Sequence, residues 1–180
     1  TINPVEDSEI VETELMLSDL ESIESRIPTI EKKAKSGDIE AKELLPIITS
    51  VHELLSTGKP ARLLKLSEVE KPILKNLQLL TSKPVLYICN VAEKDATTGN
   101  KYSKLVQDIA NKENALSIII SAKIESEISQ LNTEEKNEYL IALGLEQSGL
   151  EQVIQSGYKL LDLITYFTSV PEESRAWTVP

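Results

Sequence analysis

The chain has 180 residues, about one domain's length or a little more, and its 41% hydrophobic and 27% charged residues are close to the globular average. A net charge of −10 argues against a general binder of the nucleic-acid backbone, which needs a basic surface, so we expect no direct DNA binding. One cysteine and one histidine exclude an intrachain disulfide and a cysteine-rich or multi-histidine metal site. No apolar run approaches the roughly 18 residues that a membrane-spanning helix needs.

The two ends of the sequence predict a piece of a longer protein. The first residue is Thr1 rather than Met, and no signal-peptide pattern follows it. The last residues, from Arg175 to Pro180, stop on a strand-like alternation of side chains. We therefore interpret both ends as cut ends.

The first part of the chain, residues 1–82, contains no aromatic residue and predicts an antiparallel helix hairpin. Apolar residues recur at steps of three and four within residues 8–35, the pattern of a coiled-coil seam, with Asp7 or Ser8 as the cap. Ser36-Gly37 ends the first helix, and Asp38 is a cap for a second helix with a matching apolar stripe.

Prolines and a capping box shape the rest of this helical part. Pro28 and Pro46 lie inside the two long helices at similar distances from the turn, and we expect both helices to bend there. The alternative is that a helix breaks in two. A third, shorter helix is predicted over 67–80, where Ser67 and Glu70 have capping-box spacing.

The second part of the chain changes from helical to mixed periodicity. Apolar runs at residues 84–89 and 116–120 predict buried strands, with an amphipathic helix between them over 100–112. A strand–helix–strand unit of this kind has parallel strands. Further helices are predicted near 123–131, 133–143 and 148–161, followed by two strands at 163–168 and 174–179.

Polar residues follow both predicted parallel strands, at the end where ligands bind in open parallel sheets. Asn90-Val91-Ala92-Glu93 follows the first strand and Ser121-Ala122-Lys123 follows the second. The Asn90 amide offers a donor and an acceptor, Glu93 accepts from ring or amino N–H groups, and the Ser121-Ala122 turn presents backbone N–H groups. Together they predict a purine-base pocket. A turn or helix cap would explain Asn90 equally well, and Lys123 is equally consistent with a surface lysine.

No phosphate-binding loop accompanies this pocket. The motif Gly-x-x-x-x-Gly-Lys-Ser/Thr follows a strand, whereas Gly58-Lys59 follows a helix, precedes Pro60 and has Glu53 in place of the first glycine. No strand ends in Asp-x-x-Gly, which would hold magnesium. We expect no catalytic and no metal-binding residue in this sequence, and no nucleotide hydrolysis by this chain alone.

Four stretches of the sequence carry a family resemblance. They are residues 3–20, Gly58-Lys59-Pro60-Ala61-Arg62, residues 79–87 running into Asn90-Val91-Ala92-Glu93, and residues 157–179, which include Arg175-Ala176-Trp177-Thr178-Val179. In these stretches the sequence resembles the YchF/Obg-like ATPase family of translation-factor-related P-loop proteins. The resemblance extends over essentially the whole chain.

The resemblance implies an α/β fold class built from three pieces. Residues 1–82 correspond mainly to an inserted α-helical antiparallel coiled-coil arm. Residues 83–162 correspond to the C-terminal part of a P-loop NTPase domain with a parallel sheet. Residues 163–180 correspond to the beginning of a β-rich TGS domain.

The resemblance also implies a base-binding site. Family members carry Asn-x-x-Glu, matched here by Asn90 and Glu93, where guanine-specific relatives carry Asn-Lys-x-Asp, and the family generally prefers ATP. By the same match Val91 packs at the base, and Ser121-Ala122 faces it. The phosphate loop, the switch segments and the magnesium ligands of the family would lie upstream of this sequence.

The implied protein is a cytoplasmic, ribosome-associated enzyme that hydrolyses ATP to ADP and phosphate when full length, using ATP or GTP with Mg²⁺. Two alternatives stay open: a non-enzymatic helical protein-interaction module, and a GTP-preferring member of the family. Because the strands near residues 85 and 116 would belong to a larger sheet, we expect this chain to associate with itself or with its missing N-terminal part.

Overall fold

The computed structural model describes residues 2–180, and it confirms a mixed α/β chain. The chain divides into two units, which we call the helical unit (residues 6–84) and the sheet unit (residues 85–180 with residues 2–5). The helices are α1 (Pro4–Lys35), α2 (Ile39–Ser56), α3 (Lys71–Asn76), α4 (Lys101–Glu113), α5 (Ala122–Ile128), α6 (Thr133–Ala142) and α7 (Gly149–Leu160), and the strands are β1 (Leu86–Asn90), β2 (Leu116–Ile120), β3 (Ile164–Val170) and β4 (Glu173–Val179).

Helix α1 begins earlier than the predicted cap at Asp7 or Ser8 because Pro4 is its first residue. A proline is pre-organised for that position, where its missing N–H costs nothing. The turn to α2 is formed as predicted: Gly37 adopts a φ of +100°, and the Asp38 carboxylate accepts a hydrogen bond from the Ala41 N–H at 2.9 Å.

The two long helices pack through the apolar stripes that their periodicity predicts. Both helices run without interruption through Pro28 and Pro46, so the alternative of a broken helix is wrong, whereas the bend stays a prediction. The buried core of the helical unit consists of Met16, Ile23, Ile47, Ile48, Val51, Leu55, Ala61, Leu77 and Leu79. Full burial of a large aliphatic side chain contributes about 1.5–3 kcal/mol, so the two stripes stabilise the pair together with Ala61, Leu77 and Leu79 from the segments that follow α2.

A buried carboxylate on α1 holds the segment that leaves the helical unit. Asp19 is 3% exposed, and its Oδ1 accepts from the Leu80 N–H at 2.8 Å. Its Oδ2 accepts from the Thr81 N–H at 2.8 Å and from the Thr81 hydroxyl at 2.7 Å. The Thr81 Oγ1 in turn accepts from the Ala61 N–H at 3.1 Å. The side chains of Asp19 and Thr81 therefore connect three segments that are distant in sequence.

The third helix is shorter than predicted. The 3-residue spacing of Ser67 and Glu70 does bring them together, because the Glu70 carboxylate accepts from both the N–H and the hydroxyl of Ser67. However, α3 begins at Lys71, so Ser67 is not its cap. Pro72 has no N–H and is tolerated only in the first turn, which fixes the start of the helix close before it.

The strand–helix–strand prediction for the sheet unit is confirmed. Strands β1 and β2 pair in parallel, with Leu86 opposite Leu116 and Asn90 opposite Ile120. Helix α4 connects them and starts at a capping box formed by Asn100 and Ser103.

The prediction that both strands are buried is wrong for this chain. Every residue of β2 is only partly buried, and Ile88 on β1 is 47% exposed. Within the described residues the parallel sheet has two strands, so no third strand of this range pairs with either edge. The remaining strands, β3 and β4, form a separate antiparallel hairpin whose residues are almost all exposed.

Candidate functional site

The candidate site lies at the carboxyl ends of β1 and β2, which end side by side because Asn90 and Ile120 are register partners. The Val91 N–H donates to the Ile120 carbonyl at 2.9 Å, which extends the pairing one residue past the strand. The Asn90 Oδ1 accepts from the Ala122 N–H at 3.0 Å. This second hydrogen bond joins the two loops that the sequence analysis singled out, although they are 32 residues apart.

An ion pair forms a second link between the same two loops. Glu93 begins a short 3₁₀ turn after β1, and its carboxylate is paired with the ammonium of Lys123 in the first turn of α5. The Lys123 side chain is 66% exposed and that of Glu93 is 34% exposed, so water screens the pair and it adds little to stability. Its effect is to orient the Glu93 carboxylate.

Ser121 is placed differently from the other predicted site residues. It is the N-cap residue of α5 and only 3% exposed, whereas Ala122 next to it is exposed. Its hydroxyl makes no hydrogen bond to any other residue between 2 and 180. Ser121 therefore occupies the N-cap position without a capping hydrogen bond from its side chain. The structure therefore brings the backbone of Ser121-Ala122 to Asn90, while the Ser121 side chain points into the protein.

Glu125 and Gly149, which the sequence analysis did not identify, fix the position of α7 against α5 and β2. The Glu125 carboxylate on α5 accepts from the N–H groups of Gly149 and Leu150, at 2.6 and 3.1 Å, and so neutralises the N-terminus of α7. A Cβ on Gly149 would lie 2.8 Å from the Ile120 side chain, so only glycine allows this approach. Glu125 gives no local signal in the sequence, because its partners lie 24 and 25 residues away.

Gly99 fixes the loop between β1 and α4. Its φ is +69°, and a Cβ would lie 2.4 Å from the Ser103 hydroxyl and 2.7 Å from the Ile119 side chain. Its N–H donates to the Asp95 carbonyl at 2.7 Å. The Thr-Gly-Asn sequence before α4 is the signal that could have identified this turn.

A cavity of about 440 Å³ lies elsewhere in the sheet unit, and none of the five predicted site residues lines it. Its lining includes Cys89, Ser103, Gln107 and Gln152, and it contains no lysine, arginine or histidine. Burial raises the pKa of the Cys89 thiol, so the reactive thiolate is disfavoured. The cavity therefore has no cationic side chain to pair with the charge of a phosphate group.

Two further classes of feature are missing from residues 2–180. No cluster of three or more His, Cys, Asp or Glu side chains is arranged to hold a metal ion. No helix in this range is both long and apolar enough to cross a membrane.

Comparisons with known proteins give one consistent answer. No protein-family profile matches the chain. The chain is 42% identical to the ribosome-binding ATPase YchF of Bacillus subtilis and 43% identical to that of Escherichia coli O157:H7, matching 98% and 99% of its own length. The solved structure of the Schizosaccharomyces pombe YchF GTPase matches 99% of the chain with a TM-score of 0.86 and 30% identity.

The chain spans about half the length of these relatives, 49% in each of the three. Both the sequence and the fold are similar along nearly all of the chain. This chain is thus related to the YchF family over essentially its whole length, and the family resemblance expected from its sequence motifs is confirmed.

Proposed function

We propose that this chain supplies the base-binding half of a nucleotide site in an ATP-preferring P-loop NTPase that associates with the ribosome. The observation that carries the proposal is the hydrogen bond between the Asn90 Oδ1 and the Ala122 N–H, which joins the two loops at one sheet edge. The relatives that match the chain are named ribosome-binding ATPases, and the similar solved structure is described as a GTPase. A cytoplasmic location follows from a ribosomal partner.

In this proposal each of five residues has a defined part. Asn90 binds a purine edge, since its Oδ1 is engaged with Ala122 and its Nδ2 makes no hydrogen bond to another described residue. Val91 packs against the base, and Glu93 accepts from a base amino group. The backbone of Ser121 and Ala122 faces the ring from the second loop.

In this proposal the phosphate groups and the magnesium ion are bound by residues outside this sequence. The chain contains no phosphate-loop motif, and its described residues contain no metal-binding cluster. ATP hydrolysis to ADP and phosphate is accordingly a property of the full-length protein, in which a bound Mg²⁺ would neutralise charge on the phosphates. The 180 residues contribute recognition and orientation of the base.

The proposal extends to the three pieces of the chain. The packing of α1 on α2 supports an antiparallel coiled-coil arm within residues 1–82. The parallel pair β1–β2 with its helices supports a nucleotide-domain assignment for 83–162. The antiparallel pair β3–β4 supports the start of a TGS domain within 163–180.

A second candidate is a GTP-preferring member of the family, which the name of the S. pombe relative favours. The two candidates differ in which nucleotide displaces a fluorescent analogue from the full-length protein. ATP is expected to compete at a lower concentration than GTP. The reverse order would favour the second candidate.

The variant Asn90→Asp in the full-length protein tests the pocket itself. Aspartate keeps the oxygen that accepts from the Ala122 N–H but loses the amide donor, so the loop junction stays intact while recognition of the base changes. Loss of one good hydrogen bond plus a new charge predicts about tenfold to hundredfold weaker nucleotide binding.

The matched control for this experiment is Asn111→Asp, which makes the same chemical change at an exposed position on α4. It is expected to leave nucleotide affinity within about twofold of the wild type. If Asn90→Asp binds nucleotide as tightly as this control, the assignment of the base pocket is wrong. A phosphate-loop motif encoded within roughly 130 residues upstream of Thr1 would be independent support for the enzyme.

A further inference from the structure

Lys123 is held between two carboxylates at the edge of the candidate site. Its ammonium is paired with the Oε2 of Glu93, and the Oε1 of Glu127 lies 3.8 Å away on the next turn of α5. Glu127 is held from the other side because its Oε2 accepts from the Tyr139 hydroxyl on α6. Hydrogen bonding to Glu93 and the charge of that carboxylate raise the pKa of Lys123, so the lysine stays protonated at neutral pH.

The ion pair changes what Glu93 offers to a ligand. A carboxylate binds a guanine ring by accepting hydrogen bonds from two neighbouring donors, the N1–H and the exocyclic amino group. This paired contact uses both oxygens of the carboxylate. In Glu93 one oxygen and the negative charge are already engaged by Lys123. Adenine has no N1–H donor and presents an acceptor there instead, so its amino group needs only the one Glu93 oxygen that Lys123 leaves free.

We propose that Lys123 is a positioning residue that sets the purine preference of the site by occupying one oxygen of Glu93. The lysine acts through Glu93 and does not itself touch the base. The inference rests on the proposed nucleotide function, and it assigns to Lys123 the discrimination between adenine and guanine. A free carboxylate at this position would repel the ring nitrogen of adenine and would attract the donors of guanine.

The test is the ratio of ATP affinity to GTP affinity in the full-length protein, measured by fluorescence with ribose-labelled analogues of both nucleotides. Lys123→Met keeps the length of the side chain and removes the charge, and it is expected to lower the ratio by about tenfold. Lys123→Arg keeps the ion pair and is expected to keep the ratio. Lys94→Met, at an exposed lysine beside Glu93 for which the structure shows no ion pair, is the matched control and is expected to leave the ratio unchanged.

A second measurement separates an effect through Glu93 from a general structural effect. In a Glu93→Gln background the ion pair is already lost, so Lys123→Met is expected to change the ratio by less than about twofold. An equal effect of Lys123→Met in both backgrounds, or an unchanged ratio in the single variant, overturns the inference while the proposed function stands. A wild-type protein that binds neither nucleotide overturns the proposed function, and the inference with it.

Discussion

Asp19→Asn is the substitution whose cost the structure defines best. The two oxygens of Asp19 accept three hydrogen bonds of 2.7–2.8 Å from the N–H groups of Leu80 and Thr81 and from the Thr81 hydroxyl. An asparagine has the same shape but only one acceptor oxygen. In either orientation of its amide, an NH₂ group therefore faces a backbone N–H of Leu80 or Thr81.

The expected loss of stability is about 2–4 kcal/mol. A hydrogen bond to a charged group contributes about 1.5–3 kcal/mol, and a donor left unpaired in the interior costs about 1–3 kcal/mol. Asp19 and Thr81 are 3% and 1% exposed, so water cannot replace the lost acceptor. The Thr81 hydroxyl can rotate to accept from the new amide, which keeps the loss below the sum of three bonds.

Urea unfolding of the chain, followed by far-UV circular dichroism, measures this loss as a lower midpoint at unchanged slope. The matched control is Glu21→Gln on the exposed side of the same helix, which is expected to change the free energy of unfolding by less than about 0.5 kcal/mol. If Asp19→Asn unfolds at the same urea concentration as this control, the reasoning about the buried carboxylate is refuted.

Three further predictions concern the sheet unit and its turns. Gly99→Ala should lower the free energy of unfolding by about 2–3 kcal/mol in a thermal melt, because the substitution adds both positive-φ strain and a steric clash. Its control is Gly58→Ala, which has a similar φ of +72° in open space and should cost about 1 kcal/mol. Equal losses in the two variants would show that the clash is relieved. Ser121→Ala removes a buried hydroxyl without a partner in the described chain, so it should leave stability unchanged or raise it by about 1 kcal/mol, and a clear loss in the same melt would contradict this. The hydrogen bond to Thr178 lowers the pKa of Tyr158 from its ordinary value of 10.0. The contribution of this phenol to stability is therefore present above pH 10 and lost as the pH falls through the folded pKa. Thr178→Val should move the absorbance titration of Tyr158 to higher pH, and no shift would exclude the bond.

The elements were predictable where the signal is local. Strand β2 has the predicted limits, Leu116 and Ile120, because an apolar run bounded by polar residues is a signal of the residues themselves. The Asp38 cap and the glycine turn before it were predictable for the same reason. The start of α1 at Pro4 and the short α3 differ from prediction, because a proline near a helix start competes with the capping residues and decides which residue is first.

The residues of the candidate site were likewise visible in the sequence. Parallel strands end at the same edge, so the topology alone predicts that Asn90 and Ala122 come close. The family motif around Asn90 and Glu93 predicts that these residues bind a purine base, and this assignment stays a prediction. The sequence also determined what is missing from the chain, since a phosphate loop depends on a contiguous motif that these 180 residues do not contain.

Only the tertiary structure decided which polar groups these residues meet. Lys123 could have been a free surface lysine, and its pairing with Glu93 depends on two loops that are 30 residues apart. The three bonds of Asp19 reach 61 and 62 residues along the chain, and Glu125 caps a helix that begins 24 residues later. Hydrogen bonds and ion pairs act over about 3 Å in space, and separation along the chain places no limit on them, so no periodicity or local motif records such partners.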